Sequence, residues 1–169
     1  LMKQYGPEAM VEMMRKMGIG CYLDPVNSLC VGSADISVYD MVSAYNTFPS
    51  KGVFVSPIFV TRIEDSNGNV LGEFNNTKRE AVSEYTAYLM ANLMQGVVNS
   101  GTGVRLRTVY GLKGEIAGKT GTTNDQSDGW FIGYTPSLTA GVWVGAEDRQ
   151  VHFESLSLGG GSNMALPIW

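Results

Sequence analysis

Apolar positions recur at helical spacing in three stretches of the chain. The first follows Pro7, a residue suited to an opening helical turn, and carries Met10, Met13, Met14 and Met17 at i, i+3, i+4 and i+7 before Gly18. The spacing predicts a helix over residues 8–17 with one apolar face. Core packing accounts for such a Met stripe better than copper(I) binding, because Met fills irregular gaps. A second helix is predicted from Ser37, where Ser37-Val-Tyr-Asp40 resembles a capping box, with Val38, Met41, Val42, Tyr45 and Phe48 aligned until Pro49 and Gly52. A third is capped by Ser83 and runs to about Val98, with Tyr85, Leu89, Leu93 and Val97 in register and Met90 and Met94 beside them. Asn99-Ser100-Gly101 ends it. Apolar residues surround most of this third helix, which predicts a central position.

Between the second and third helices the pattern changes to short β-branched or apolar runs at residues 58–64 and 70–74. Asn67-Gly68, inside the polar stretch between them, is a hairpin-turn signal, so a surface hairpin is expected at about 56–75. Residues 115–122, 129–134 and 138–146 also read as strands, the last two joined by Thr135-Pro136-Ser137. Short turns between neighbours make an antiparallel sheet, and the predicted fold class is α+β, an antiparallel sheet packed with helices.

Composition narrows this picture. The 21 glycines among 169 residues exceed the usual ~7%, and 17% charged residues fall short of the usual ~25%, which suits turns and close-packed strands better than a helical bundle. The length and 44% hydrophobic content suffice for one domain with a core, not for two unrelated ones. A net charge of -4 offers no basic stripe for a phosphate backbone, so nucleic acid is not an expected partner. No run of 18 apolar residues and no charged-then-apolar leader is found, so no membrane contact is expected from this segment itself. Cys21 and Cys30 flank a loop-like stretch, and with His152 distant they are too few for zinc; no metal and no cofactor is expected. Buried or free thiols are the simpler reading, a disulfide in an oxidising compartment the alternative.

Candidate chemistry concentrates in Gly118-Lys119-Thr120-Gly121-Thr122-Thr123-Asn124-Asp125. A phosphate loop would need a glycine five residues before Gly118, where Lys113 stands, and a helix after the loop, where a polar turn and a strand are predicted. Lys-Thr-Gly on a strand beside a serine acyl-transfer site fits better. There Lys119 supplies a fixed cation, and the Thr120 and Thr122 hydroxyls can donate to a substrate carboxylate. Gly121, without a side chain, lets an extended peptide lie along the strand, and the Thr122 N–H can point at a developing oxyanion.

The surrounding sequence extends this. Lys119 through Asp128-Gly-Trp130-Phe131-Ile-Gly133-Tyr134-Thr-Pro136, then Gly141-Val-Trp143-Val-Gly145, closely resembles the transpeptidase domain of class A (bifunctional) high-molecular-weight penicillin-binding proteins of the 1A type. So do Leu23-Asp-Pro-Val-Asn-Ser28-Leu, Met41-Val-Ser-Ala44-Tyr45 through Lys51-Gly52-Val53, Met94-Gln-Gly-Val-Val98 with Gly101-Thr-Gly103, and Ala165-Leu166-Pro167-Ile168-Trp169. The resemblance covers essentially the whole chain, and it implies a penicillin-binding-protein/β-lactamase-like transpeptidase fold. It also implies a parent D,D-transpeptidase that cross-links peptidoglycan stem peptides through a serine acyl-enzyme and is trapped by β-lactams. Lys119, Thr120, Gly121, Thr122 and Thr123 would bind the D-Ala-D-Ala end, the Thr122 amide forming half the oxyanion hole. The parent is implied to be also a glycosyltransferase, extracytoplasmic on the periplasmic side and anchored in the inner membrane.

Two of that family's motifs are missing. The residues three before Lys16, Lys51, Lys78, Lys113 and Lys119 are Met13, Phe48, Asn75, Tyr110 and Ile116, so no Ser-x-x-Lys nucleophile is present. No asparagine has a serine two residues earlier, so Ser-x-Asn is absent too. Both are expected upstream of Leu1, making residues 1–169 the C-terminal part of one transpeptidase domain, inactive alone and partnered by the N-terminal remainder. A sheet without its N-terminal strands is expected to expose an unpaired edge. The rival readings are a D-Ala-D-Ala carboxypeptidase or β-lactamase, which would use the same strand with water as acceptor, and a non-catalytic β-lactam sensor or cell-wall binding module. Asp125 and Asp128 are expected to bond local amides in a turn, Trp130 or Phe131 to be core, His152 to lie at the surface, and residues 159–161 to form a flexible turn.

Overall fold

The structure, a computed structural model, describes residues 2–169. Helix α1 (Met2–Lys16) is broken at Gly6, where φ is 78°, so its regular part opens at Pro7. Met10, Met14 and Met17 pack with Ile19, Leu23, Leu29 and Ala44, whereas Met13, the fourth member of the stripe, is exposed. Cys21 and Cys30 are free thiols. Ser37 caps helix α2 (Val38–Tyr45), its Oγ accepting the Asp40 N–H at 3.1 Å. The helix stops at Tyr45, short of Phe48, and the chain continues in turns to Gly52, whose φ is 87°.

Two small ribbons follow. Strands β1 (Val53–Val55) and β4 (Lys78–Glu80) pair antiparallel. The all-charged β4 has no apolar alternation to reveal it; Arg79 fastens it by stacking over Phe54 at 4.3 Å and donating to the Arg15 and Lys16 carbonyls at the end of α1. The expected hairpin is strands β2 (Arg62–Glu64) and β3 (Val70–Glu73). Its turn is not a two-residue Asn-Gly turn. The Asp65 Oδ1 accepts the N–H groups of Asn67 and Asn69, both at 2.8 Å, and so organises a five-residue loop.

Helix α3 (Glu84–Ser100), capped by Ser83, buries Ala87, Met94 and Val98. The predicted stripe of Tyr85, Leu89 and Leu93 lies on the other side, 70%, 44% and 68% exposed. Among the described residues, the expected central position is therefore not seen: the small Ala87 and Ala91 let one face lie close to the fold, which turns the larger stripe outward. The main sheet is formed by β5 (Ala117–Thr122), β6 (Asp128–Tyr134) and β7 (Thr139–Gly145) in that order, antiparallel throughout. Phe131 of β6 is wholly buried with Val98, Leu106, Ile116, Ala165 and Leu166, and Trp169 meets its ring edge-on at 5.3 Å. Trp130 is half-buried.

Three one-turn helices, α4 (Arg105–Thr108), α5 (Leu156–Gly159) and α6 (Gly161–Met164), complete the chain. The glycine run at their junction is not a flexible turn. All three glycines are buried, and a Cβ on Gly161 would stand 2.5 Å from the Trp130 carbonyl and closer still to that of Gly121, so the run is where backbone meets backbone.

Two stability outcomes follow from this packing. Gly161→Ala should lower stability by about 1–3 kcal/mol through overpacking. Gly96→Ala, in the exposed interior of α3 with nothing within 4 Å of its Cβ, should raise it by up to about 1 kcal/mol. Thermal melts of the two variants moving in the same direction would contradict the account. Separately, burial raises the phenol pKa of Tyr134, as does the neighbouring Tyr45, and the Tyr134 hydroxyl has no hydrogen-bond partner. A raised folded pKa gives stability that is intact below the unfolded tyrosine pKa of about 10 and lost as pH rises above it. Tyr134→Phe should therefore leave the melting temperature at pH 7 unchanged or higher and soften its decline above about pH 10.

Candidate functional site at the outer edge of strand β5

The register of β5 decides what its free side presents. Thr123 N–H donates to the Asp128 carbonyl at 3.2 Å, which makes Thr123 and Asp128 a hydrogen-bonded pair at the mouth of the β5–β6 ladder. Antiparallel pairs alternate, so Gly121 and Lys119 also spend their backbone groups on Trp130 and Ile132. The N–H and C=O groups of Gly118, Thr120 and Thr122 then point outward, along an edge that no strand covers among the described residues. The Thr122 amide is therefore free on this open side.

Side chains add charge and protons to this edge. Lys119 is exposed, no carboxylate pairs with it among the described residues, and its Nζ donates to the Thr120 carbonyl at 2.9 Å, leaving two further donors. The Thr120 and Thr102 hydroxyls lie 2.7 Å apart. The Thr122 Oγ1 accepts the Gly161 N–H at 3.0 Å and keeps its proton for another acceptor. Gly121 has a Cβ position 3.1 Å from that of Trp130, so a side chain would crowd the ladder.

The Thr123 hydroxyl, expected among the substrate-binding groups, is engaged inside the turn. Its Oγ1 lies 2.9 Å from the Ser127 Oγ, accepts the Asp128 N–H at 2.9 Å and reaches the Asp128 carbonyl at 3.2 Å, which uses its hydrogen-bonding capacity inside the turn. That knot closes a loop in which Asp125 and Gln126 both adopt left-handed φ near 55°. The two carboxylates differ from expectation: Asp125 is exposed, and one oxygen of Asp128 is buried without a partner. Asn124–Gln126 is a single 3-10 turn before β6, not a helix that could cradle phosphate. His152 is exposed. An apolar recess of about 250 Å³ lined by Ser127, Val144, Val151 and Phe153 opens beside β7, not at the outer edge of β5. Thr102, whose hydroxyl meets that of Thr120, is not among the expected site residues; its mark in the sequence is a threonine between two glycines directly after a helix, Gly101-Thr102-Gly103. No described helix is long and apolar enough to cross a membrane.

Comparison with known proteins identifies the family and the fold. The family described as Penicillin binding protein transpeptidase domain matches residues 1–148. Penicillin-binding protein 1A of Aquifex aeolicus (strain VF5) is 33% identical over 169 residues, covering 100% of this chain and 22% of that protein. Penicillin-binding protein 2D of Bacillus subtilis (strain 168) is 34% identical over 145 residues, 83% of this chain and 21% of that one. The chain thus spans about a fifth of the length of these curated relatives. Among solved structures, penicillin-binding protein 1A from Haemophilus influenzae superposes with a TM-score of 0.84 at 20% identity, over 96% of this chain and 30% of that chain. PonA1 from Mycobacterium tuberculosis superposes with a TM-score of 0.80 at 27% identity, over 96% and 48%. The α+β fold of an antiparallel sheet packed with helices is the fold of those structures. Matched over most of its length and 33% identical to one relative across all of it, the chain belongs to the family of penicillin-binding protein transpeptidase domains.

Proposed function

We propose that residues 1–169 are the C-terminal part of one transpeptidase domain, supplying the carboxylate-binding and oxyanion strand of a D,D-transpeptidase that cross-links peptidoglycan. The observation that carries this is the outward-facing edge of β5, where the Thr122 N–H is free and the Lys119 ammonium reaches the outward Thr120 carbonyl, on a strand that also carries the Thr120 and Thr122 hydroxyls. In this reading a serine from the N-terminal remainder of the same domain attacks the penultimate D-Ala carbonyl of a stem peptide. The C–N bond to the terminal D-Ala breaks, that D-Ala leaves with the proton, and an amine of a second stem peptide takes the acyl group and frees the serine. Lys119 and the threonine hydroxyls hold the terminal carboxylate while the Thr122 amide bonds the oxyanion, a donor worth roughly 3 kcal/mol where comparable ones have been removed.

β-Lactams, which imitate the D-Ala-D-Ala end, are the proposed inhibitors. The solved complex of the similar PonA1 with penicillin V supports them as ligands. The outer edge of β7, with the partly exposed Trp143, and the outward face of α3 give the N-terminal remainder apolar surface to pack on. In the same reading the domain lies on the periplasmic side, in a parent anchored in the inner membrane.

Labelling by a fluorescent penicillin tests the reading. The 169 residues alone should not be labelled, whereas a chain extended upstream through its Ser-x-x-Lys should be. Lys119→Ala in the extended chain should slow labelling roughly ten- to hundredfold, the worth of a charge-assisted hydrogen bond. A folded extended chain that takes no label points instead to a sensor or binding module. Labelling of a serine within residues 1–169 overturns the division of labour.

A further inference from the structure

We propose that Thr102 is a positioning residue that sets the proton of the Thr120 hydroxyl toward the substrate carboxylate; this rests on the reading of β5 as the carboxylate-binding strand. The two hydroxyl oxygens are 2.7 Å apart, and either can donate. Each hydroxyl owns one proton and can accept as well. When Thr120 donates to Thr102, it offers an incoming carboxylate only lone pairs, which the anion repels. When Thr102 donates to Thr120, the Thr120 proton is free for the carboxylate, and the chain Thr102 O–H to Thr120 O–H to carboxylate polarises in one direction. An anion, which only accepts, selects the second arrangement.

The main chain holds Thr102 where this demands. The N–H groups of Gly101 and Gly103 both donate to the Val97 carbonyl, each at 3.0 Å, so the residues on either side of Thr102 are tied to one atom of the last turn of α3. The flanking positions are close against α3: a Cβ on Gly101 would lie 2.8 Å from the Val97 Cα, which leaves it no room, and one on Gly103 would sit tightly, 3.3 Å from the Val97 carbonyl oxygen. Val98, one residue further along α3, is wholly buried in the cluster that contains Phe131, the cross-strand partner of Thr120. Thr102 itself is exposed, so its hydroxyl serves no core packing.

The test is the second-order rate of acylation of the full-length protein by a penicillin bearing its free carboxylate and by the methyl ester of the same penicillin. Thr102→Val should slow the reaction with the free acid about tenfold and leave the reaction with the ester nearly unchanged. Thr102→Ser, which keeps the hydroxyl, should recover most of the rate. In a double-mutant cycle, Thr102→Val should add little to the loss already caused by Thr120→Val, because both act through one hydroxyl pair. An undiminished free-acid rate in Thr102→Val, an equal loss with the ester, or losses that add would overturn the inference while leaving the strand's function standing. Wild-type protein that is never acylated would overturn the reading beneath it.

Discussion

Everything at the candidate site depends on the phase of the β5–β6 ladder. Because backbone groups alternate sides along a strand, the pairing of Thr123 with Asp128 at the ladder's end settles, six residues back, which amides face out. A slip by one residue would turn the Lys119 and Gly121 amides to the open edge and draw those of Thr120 and Thr122 inward. The structure guards against this slip at both ends. At one, Thr123 ties its hydroxyl to Ser127 and Asp128. At the other, Gly118 faces Gly133, and a Cβ there would stand 2.8 Å from the Ile132 carbonyl and 3.1 Å from the Gly133 Cα, so only glycine permits the pairing to sit this close.

The same economy of side chains explains how the short C-terminal helices reach the strand. Gly161 lies against the carbonyls of Gly121 and Trp130 and donates its N–H to Thr122, while Gly129 meets Met164 and Gly161. Arg105 from α4 closes the arrangement by donating to the Ser162 carbonyl and the Asn163 side chain. The back of β5 is therefore braced by glycine contacts and polar bonds, and its outer edge is left open. Rigidity behind and access in front suit the proposed role of a strand that receives an extended peptide.

Much of this was legible in the chain. The caps at Ser37 and Ser83, the three strands of the main sheet and the Lys119-Thr120-Gly121 strand were read from local signals, because capping and alternation are decided by neighbours in sequence. The failures share one cause. Which face of α3 is buried depends on the small Ala87 and Ala91, not on the larger Tyr85 and Leu93, and that choice is made by the sheet it meets. Strand β4 is held by Arg79 reaching a helix 63 residues earlier, a bond with no local trace. Residues 159–161 looked like a flexible turn because three glycines carry no sign of the carbonyls they approach. Thr123 looked like its neighbours Thr120 and Thr122, and only the turn geometry separates a threonine that locks the loop from two that face the edge.

An open strand edge is not by itself an anion site, since it presents carbonyl oxygens as well as amides. At Thr120 both groups point outward, and a carboxylate approaching the Thr122 amide would pass the Thr120 carbonyl dipole. Lys119 removes that obstacle. Its side chain starts on the opposite face of the strand, yet its ammonium comes round to the Thr120 carbonyl at 2.9 Å, covering the outward carbonyl next to the Thr122 amide and placing a full positive charge beside it. The lysine thus converts a peptide edge of mixed polarity into one that favours negative charge, and in the proposed function its two remaining donors serve the substrate carboxylate. Arginine would not be an equivalent replacement, because its planar fork holds its donors in fixed directions, whereas an ammonium can bond the strand and an incoming carboxylate together.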